Sequence, residues 1–431
     1  MEPSTENVFH VIEHIVSCQH IREYPGATVN GQADGLQLAV KQYVPLDNLN
    51  PEPGDVTILA AHGNGFPKEL YEPLWEDLYI SSKSEGFHIR GIWMADVANQ
   101  GQSGVINEGL LGDDPSWFDH SRDLLQLINV KRSDMPQPLV GIGHSMGGLH
   151  LANLSLIHPR LLHSLVLLDP VIQLEGSGIS TELAKLALYR RDRWPSREAA
   201  AKKIRDSPFY RNWDARVLQK WVKYGLRNIP TAIYSLDTDP RSETEREATT
   251  MTLTTTRYQE AFTFTRPTFD HAGNPGTHTT HPDLDNTAAT STLFYRSEPA
   301  RIFAQLPFLR PSVLYIFGGK SPLSLPATRE DKVRNTGTGV GGSGGAVNGR
   351  VREICFDQIG HQIPQEVPRD CAEAISRWLC PELNRWHEED QAFRAEFDRM
   401  SLVETVTSCN RWKDFLPSPQ RRQQTHGKSK L

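Results

Sequence analysis

Ser145 stands in the run Gly143-His144-Ser145-Met146-Gly147-Gly148. A short apolar run, Leu139-Val140-Gly141-Ile142, precedes it, and helix formers from Leu149 to Leu156 follow. A strand, a sharp turn and a helix are therefore expected around this serine. A turn that tight forces a strained backbone on its central residue, and the residues two positions away must be small. Gly143 and Gly147 meet that need. The turn would raise the Ser145 hydroxyl above the C-terminal edge of a sheet and set a helix N-terminus beside it. Such a serine can act as a nucleophile on a carbonyl carbon.

A serine hydroxyl needs a base. His361, in Gln358-Ile359-Gly360-His361-Gln362-Ile363-Pro364, follows the last expected strand, and strand ends of a parallel sheet meet at one edge. His62, His144, His278 and His281 compete less well, and His62 is expected to bond backbone beneath a glycine loop. The base needs a carboxylate to hold its tautomer. After the strand at 312–317 the chain reads Gly318-Gly319-Lys320-Ser321-Pro322, so Ser321 stands where an Asp would be expected. The next carboxylate at a strand end is Asp169, in Leu167-Leu168-Asp169-Pro170; it is chosen over Asp357 and Glu353, which lie nearer His361 in sequence. An oxyanion formed on acyl transfer needs fixed donors, each worth roughly 3 kcal/mol. Those expected are the N–H of Met146 and a donor from His62-Gly63-Asn64-Gly65-Phe66-Pro67, with Asn64 first in line.

These groups need elements to hold them. Alternating apolar positions at 36–44, buried runs at 56–61, 89–94, 139–142, 164–169, 312–317 and 351–355, and helices at 71–80, 117–128 and 149–156 alternate along the chain. That order predicts an α/β fold: a mostly parallel sheet with helices on both faces. Val8–Val16 fits a strand or a helix equally. Gly101 to Gly104 is expected as a loop, and Gly337 to Gly349 as a flexible one. The alternation stops after Pro170. A charged, aromatic helical stretch follows, then a Thr-rich polar loop from Thr249 to Thr292, together expected to form a lid over the sheet edge. Its aromatics (Tyr189, Trp194, Phe209, Trp213, Trp221, Tyr224) are expected mainly as lid core, and Arg190-Arg191-Asp192-Arg193 as a solvated face. The predicted division is an N-terminal segment 1–35, core 36–171, lid 172–305, core 306–386, and a helix and tail 387–431.

Composition excludes several classes. The chain has 431 residues and a formal net charge of -6, which argues against nucleic acid or an anionic membrane as partner. Five scattered cysteines without a paired motif suggest free thiols in a reducing compartment and no zinc site. Met1 to Ser17 is not expected to be a signal peptide, and no apolar run reaches the length of a membrane span.

The motifs His62-Gly63-Asn64-Gly65-Phe66, Gly143-His144-Ser145-Met146-Gly147-Gly148, Leu165 to Pro170 and the late Gly360-His361 resemble the α/β-hydrolase superfamily over about 36–171 and 310–380. The stretch His62 to Tyr71, with Gly318-Gly319-Lys320-Ser321, is similar to a fungal subgroup containing hydrolases of toxin biosynthesis and a yeast peroxisomal lipase. The resemblance implies an α/β-hydrolase fold and serine-dependent hydrolysis of esters or thioesters. An epoxide hydrolase or dehalogenase would place Asp at the elbow, where this chain has Ser145.

The chain ends in Ser429-Lys430-Leu431, a tripeptide read by the peroxisomal import receptor. The expectation is thus a peroxisomal serine esterase, lipase or thioesterase without metal or organic cofactor, acting on a lipophilic ester or acyl-CoA-like thioester of fatty-acid or secondary metabolism. The alternative is a catalytically inactive binding protein of the same fold, supported by the absent carboxylate at Ser321.

Overall fold

A computed structural model describes residues 8–31, 35–174, 177–234, 250–284, 292–407 and 410–416. The strands of the main sheet are β1 (Phe9–Ser17), β2 (Gln37–Pro45), β3 (Val56–Ala61), β4 (Ile89–Ala95), β5 (Leu139–His144), β6 (Ser164–Leu168), β7 (Ser312–Gly318) and β8 (Val351–Phe356). They form an eight-stranded sheet in the order β1-β2-β4-β3-β5-β6-β7-β8. β1 and β2 pair antiparallel, as do β2 and β4; every later pair is parallel. The segment that sequence left undecided, Val8–Val16, is thus mostly the edge strand β1.

β3, β5 and β6 are buried along their whole length, which is why they read as continuous apolar runs. Alternate residues of each strand feed two cores. Ile58, Ala60, Val140 and Ile142 pack with α1 (Glu72–Glu85) and with Cys371, Ile375 and Leu379 on one face. Leu59, Ala61 and Leu139 pack on the other with α3 (Trp117–Val130) and α4 (Met146–Ile157). Helices therefore cover both faces, as expected.

Three local expectations differ. Gly101 to Gly104 opens a short helix, α2 (Gly101–Ile106), instead of a loop. Ser103 within it accepts from the Ala39 N–H and donates to the Asp96 carbonyl, so tertiary bonds override the weak helix propensity of its glycines. The Gly337–Gly349 stretch is a hydrogen-bonded loop, fastened by Gly337 N–H to Leu306 O, Gly339 N–H to Pro307 O and Ser343 N–H to Leu309 O. The helix expected from 387 starts earlier, at Pro368, and runs to Phe397 with Pro381 inside it.

The insertion between β6 and β7 carries α5 (Ser177–Tyr189), α6 (Arg197–Asp206), α7 (Ala215–Tyr224) and α8 (Arg257–Phe264). The last interrupts the expected polar loop; Thr256 caps it by accepting from the Gln259 N–H. A three-stranded sheet (Arg193–Trp194, Met251–Leu253, Leu226–Asn228) joins its parts. The insertion is fastened to the core on two sides. Arg216 of α7 grips Asp77 of α1 through two nitrogens at 3.0 and 2.7 Å. Arg266 grips Asp114 likewise at 2.6 and 2.7 Å, and the Trp117 indole donates to Thr263 O at 2.7 Å. Met1–Leu383 forms one compact unit, so the insertion does not separate from the core; Asn384–Leu431 forms a second. Within the second, Leu402–Val406 carries a capping box between Ser401 and Glu404. The expected tail from about 415 lies almost wholly outside the described residues, as do Ser429, Lys430 and Leu431.

Candidate active site

β5 ends at His144, α4 begins at Met146, and Ser145 between them has φ 57 and ψ -120. The neighbouring glycines are sterically required. A Cβ on Gly143 would lie 2.5 Å from Gly147 O, and one on Gly147 would lie 2.1 Å from Ala61 O. Strand tips interlock next to it. The Ser145 N–H donates to Leu168 O at 2.9 Å, and the Asp169 N–H to Ile316 O at 2.8 Å. Asp169, just past β6, also has positive φ, at 43°. Two of the three residues singled out for catalysis thus sit in strained backbone at adjacent strand ends.

His361 arrives on the loop after β8. A Cβ on Gly318 would fall 2.0 Å from Gly360 O, so the glycines ending β7 admit this loop. Its Nδ1–H donates to Asp169 Oδ2 at 2.6 Å, and its Nε2 accepts from the Ser145 hydroxyl at 2.8 Å. Since a carboxylate only accepts, the imidazole carries its proton on Nδ1 and presents a free lone pair to the serine. Three side chains distant in sequence stand in one hydrogen-bonded row. Glu353 and Asp357, weighed as alternatives to Asp169, are exposed.

Sequence reasoning noticed Ser321 as a gap but missed what it does. Its hydroxyl donates to Asp169 Oδ2 at 2.5 Å, and the Ser324 hydroxyl donates to Oδ1. Burial works to raise the Asp169 pKa; the His361 contact, backed by these two hydroxyls, outweighs it and holds the carboxyl below its ordinary range. Lys332, fully buried, donates to Pro170 O at 3.1 Å and Leu323 O at 3.3 Å, bracing the turns on either side of the carboxylate. Burial pushes its pKa down to about 8, with Asp169 opposing. The signal available in sequence was a single lysine six residues after Pro326 in a charged helix, too weak to read.

The loop Gly63-Asn64-Gly65 lies against the elbow: a Cβ on Gly63 would approach Ser145 Cβ at 3.3 Å. The Asn64 side chain is occupied, its Nδ2 donating to Glu260 O at 3.0 Å and its Oδ1 accepting from Gln100 at 2.8 Å. The Gly65 N–H donates to Gln100 Oε1 at 2.7 Å. Met146 is the first residue of α4, so its N–H has no intrahelical acceptor. His62 acts as expected beneath the loop: Nδ1–H donates to Gly63 O at 2.8 Å and Nε2 accepts from the Val97 N–H at 2.9 Å. His281 bonds within the insertion, to Thr280 and Pro267 O.

Among the insertion aromatics, Trp194, Trp213 and Trp221 are buried, while Tyr189 and Phe209 are exposed. Phe66, next to the glycine loop, meets Trp213 and Trp221 edge-on at 5.5 and 6.1 Å. The run Arg190 to Arg193 is no solvated face: Arg190 pairs with Glu260, and Asp192 is buried with a bond from Tyr234. A cavity of about 690 Å³ opens between Asn99, Glu108, Arg227, Thr254, Tyr258 and Gln259; neither Ser145 nor those aromatics line it. Among the described residues, no group of three or more His, Cys, Asp or Glu is placed to hold a metal, and no helix is long and apolar enough to cross a membrane.

The model of the alpha/beta hydrolase family matches residues 58–374. The chain is 42% identical to mpaH', named a type I acyl-CoA thioesterase, of Penicillium brevicompactum, over 99% of this chain and all of that one. It is 32% identical to AKT2 of Alternaria alternata, an abhydrolase domain-containing protein, over 57% of this chain and 84% of the relative. In structure it is similar to the peroxisomal alpha-beta-hydrolase Lpx1 of Saccharomyces cerevisiae, with TM-score 0.64, 18% identity, and coverage of 92% of this chain and all of that one.

Proposed function

The chain belongs to the alpha/beta hydrolase family, and from that premise we propose that it is a serine-dependent thioesterase or esterase, with a lipophilic acyl-CoA as its substrate class. The observation that carries this is the row Asp169–His361–Ser145, with contacts of 2.6 and 2.8 Å. The Ser145 oxygen attacks the acyl carbonyl while His361 Nε2 takes its proton. Asp169 holds the Nδ1–H tautomer and stabilises the imidazolium. The N–H groups of Met146 and Asn64 stabilise the oxyanion. His361 returns the proton to the leaving thiolate or alkoxide, and water releases the acid from Ser145 by the same steps in reverse. Each step moves one proton between His361 and an oxygen or sulfur, and no cofactor is called on.

The thioester preference is supported by likeness to the fungal relatives named acyl-CoA thioesterases, matched end to end. The inactive-protein alternative rested on the missing carboxylate at Ser321; a carboxylate from β6 stands within reach of the imidazole, so nothing in the geometry favours it. The test is incubation with a serine-reactive phosphonate alongside release of free CoA from medium- and long-chain acyl-CoAs. Wild type labels and turns over, and Ser145→Ala does neither; equal labelling of both sinks the assignment. Peroxisomal residence is part of the proposal, supported by Ser429-Lys430-Leu431. A fluorescent fusion that keeps this terminus gives puncta coincident with a peroxisomal marker, and its deletion gives diffuse signal; diffuse signal from both refutes it.

A further inference from the structure

His144 precedes the nucleophile and Tyr71 ends the short helical turn Lys68–Tyr71 after the glycine loop. Both are 1% exposed. The Gly63 N–H donates to the Tyr71 hydroxyl oxygen at 2.8 Å, and that oxygen lies 2.8 Å from His144 Nδ1. His144 Nε2 lies 3.0 Å from the backbone O of His361.

The directions of these bonds follow from chemistry. A carbonyl oxygen only accepts, so His144 Nε2 carries the proton and donates to His361 O. Burial, reinforced by the neighbouring His361, pushes the His144 pKa down to about 3, so the ring is neutral at working pH and Nδ1 is bare. Nδ1 then accepts, and the Tyr71 hydroxyl donates to it while taking the Gly63 N–H on its oxygen. Every member has its partner, and the chain has one sense only. Gly63 adjoins Asn64, His144 adjoins Ser145, and the last bond falls on His361 itself.

We propose that His144 and Tyr71 are positioning residues that tie the oxyanion loop, the nucleophile elbow and the base loop into one hydrogen-bonded unit. This rests on the hydrolytic role given above to Ser145, Asn64 and His361. Neither ring touches a reacting atom. His144 holds the main chain of His361 while Asp169 holds its ring, so the imidazole is fixed at both ends. Tyr71 fixes the His62–Gly63 peptide, one residue before Asn64. The tie keeps oxyanion donor and base at constant separation, the quantity on which a preorganised site depends.

The experiment measures kcat per active site, titrated with the phosphonate, in Tyr71→Phe, His144→Phe and the double variant. Either single change lowers kcat on the order of 10- to 100-fold while KM stays within about twofold. The double variant is no worse than the poorer single one, because a broken chain cannot be broken twice. His144→Gln, which retains a donor toward His361 O, recovers part of the loss. Additive losses, or a loss confined to KM, overturn the proposal. The ring nitrogens of His144, observed by 15N NMR in unmutated protein, report a neutral imidazole protonated on Nε2; protonation on Nδ1 refutes the network whatever the turnover. Turnover that persists in Ser145→Ala refutes the hydrolytic role instead, and the tautomer tells the two failures apart.

Discussion

Ser321 donates its hydroxyl to Asp169 at 2.5 Å, across the boundary between β7 and β6. The residue standing where a carboxylate was expected therefore serves the carboxylate that replaces it. With Ser324 on the other oxygen, both faces of Asp169 are solvated by protein, not water. On the proposed mechanism Asp169 is ionised in the competent state, and these donors lower its proton affinity. Removing them in Ser321→Ala/Ser324→Ala raises it. The acid limb of the kcat/KM profile then moves to higher pH, with the alkaline plateau reduced about tenfold, the low end of the worth of one charge-assisted bond. A pH series from 4 to 9 on both proteins checks it; an unmoved acid limb contradicts it.

Asp169→Asn keeps the shape but favours the wrong imidazole tautomer, because the amide offers His361 a donor as readily as an acceptor. The expected loss in kcat is roughly 10⁴-fold with KM little changed. Phosphonate labelling becomes slow yet still reaches completion, which separates this variant from Ser145→Ala. A loss under tenfold would show that Asp169 is not the group that orients the base.

Gly147→Ala brings a methyl group to 2.1 Å from Ala61 O, a backbone atom that cannot turn aside. The elbow and β3 must separate, at a cost of about 3 kcal/mol. Thermal unfolding detects this as a lowered Tm, with catalytic loss alongside. Gly109→Ala, where a methyl group meets nothing within 4 Å, leaves Tm nearly unchanged.

Lys332 binds fewer protons when folded than when unfolded between its folded pKa of about 8 and its ordinary value of 10.5. In that window stability rises with pH by linkage, and below it the charged, buried ammonium works against the fold. Denaturant titrations of wild type and Lys332→Met at pH 7, 8.5 and 10 give a difference that shifts toward wild type as pH increases. A difference independent of pH would show that Lys332 keeps an ordinary pKa.

Much of the site was legible because its constraints are local. Gly143 and Gly147 flank Ser145 at two residues, and that spacing has a steric cause readable without coordinates. Asp169 was found from its place at a strand end, since tips of parallel strands share an edge. His62 was expected to bond backbone because it begins the glycine loop, and it does so at Gly63 O. What escaped depends on contacts between distant segments. Gly101-Gln102-Ser103-Gly104 lacks helix formers and is helical because Ser103 bonds β2 and the end of β4. α8 was lost among threonines, though Thr256 and Gln259 are a legible N-cap pair. Ser324, Lys332, Tyr71 and Gln100 are ordinary residues in sequence; each acquires its role from an atom at least eight positions away, such as Gly63 N for Tyr71, Leu323 O for Lys332 or Gly65 N for Gln100.

The left-handed backbone at Ser145 and Asp169 has a consequence for how this molecule can change. Each distortion costs on the order of 1–3 kcal/mol, and glycine would relieve it without steric penalty. Ser145→Gly, which gives up a single hydrogen bond to His361, is therefore expected to melt at or above the wild-type temperature while losing turnover, whereas Asp169→Gly strands the Ser321, Ser324 and His361 donors and melts lower. Selection for robustness alone would erase the Ser145 side chain; on the proposed mechanism its presence marks a standing trade between durability and chemistry, held in the torsions of one residue at a strand tip.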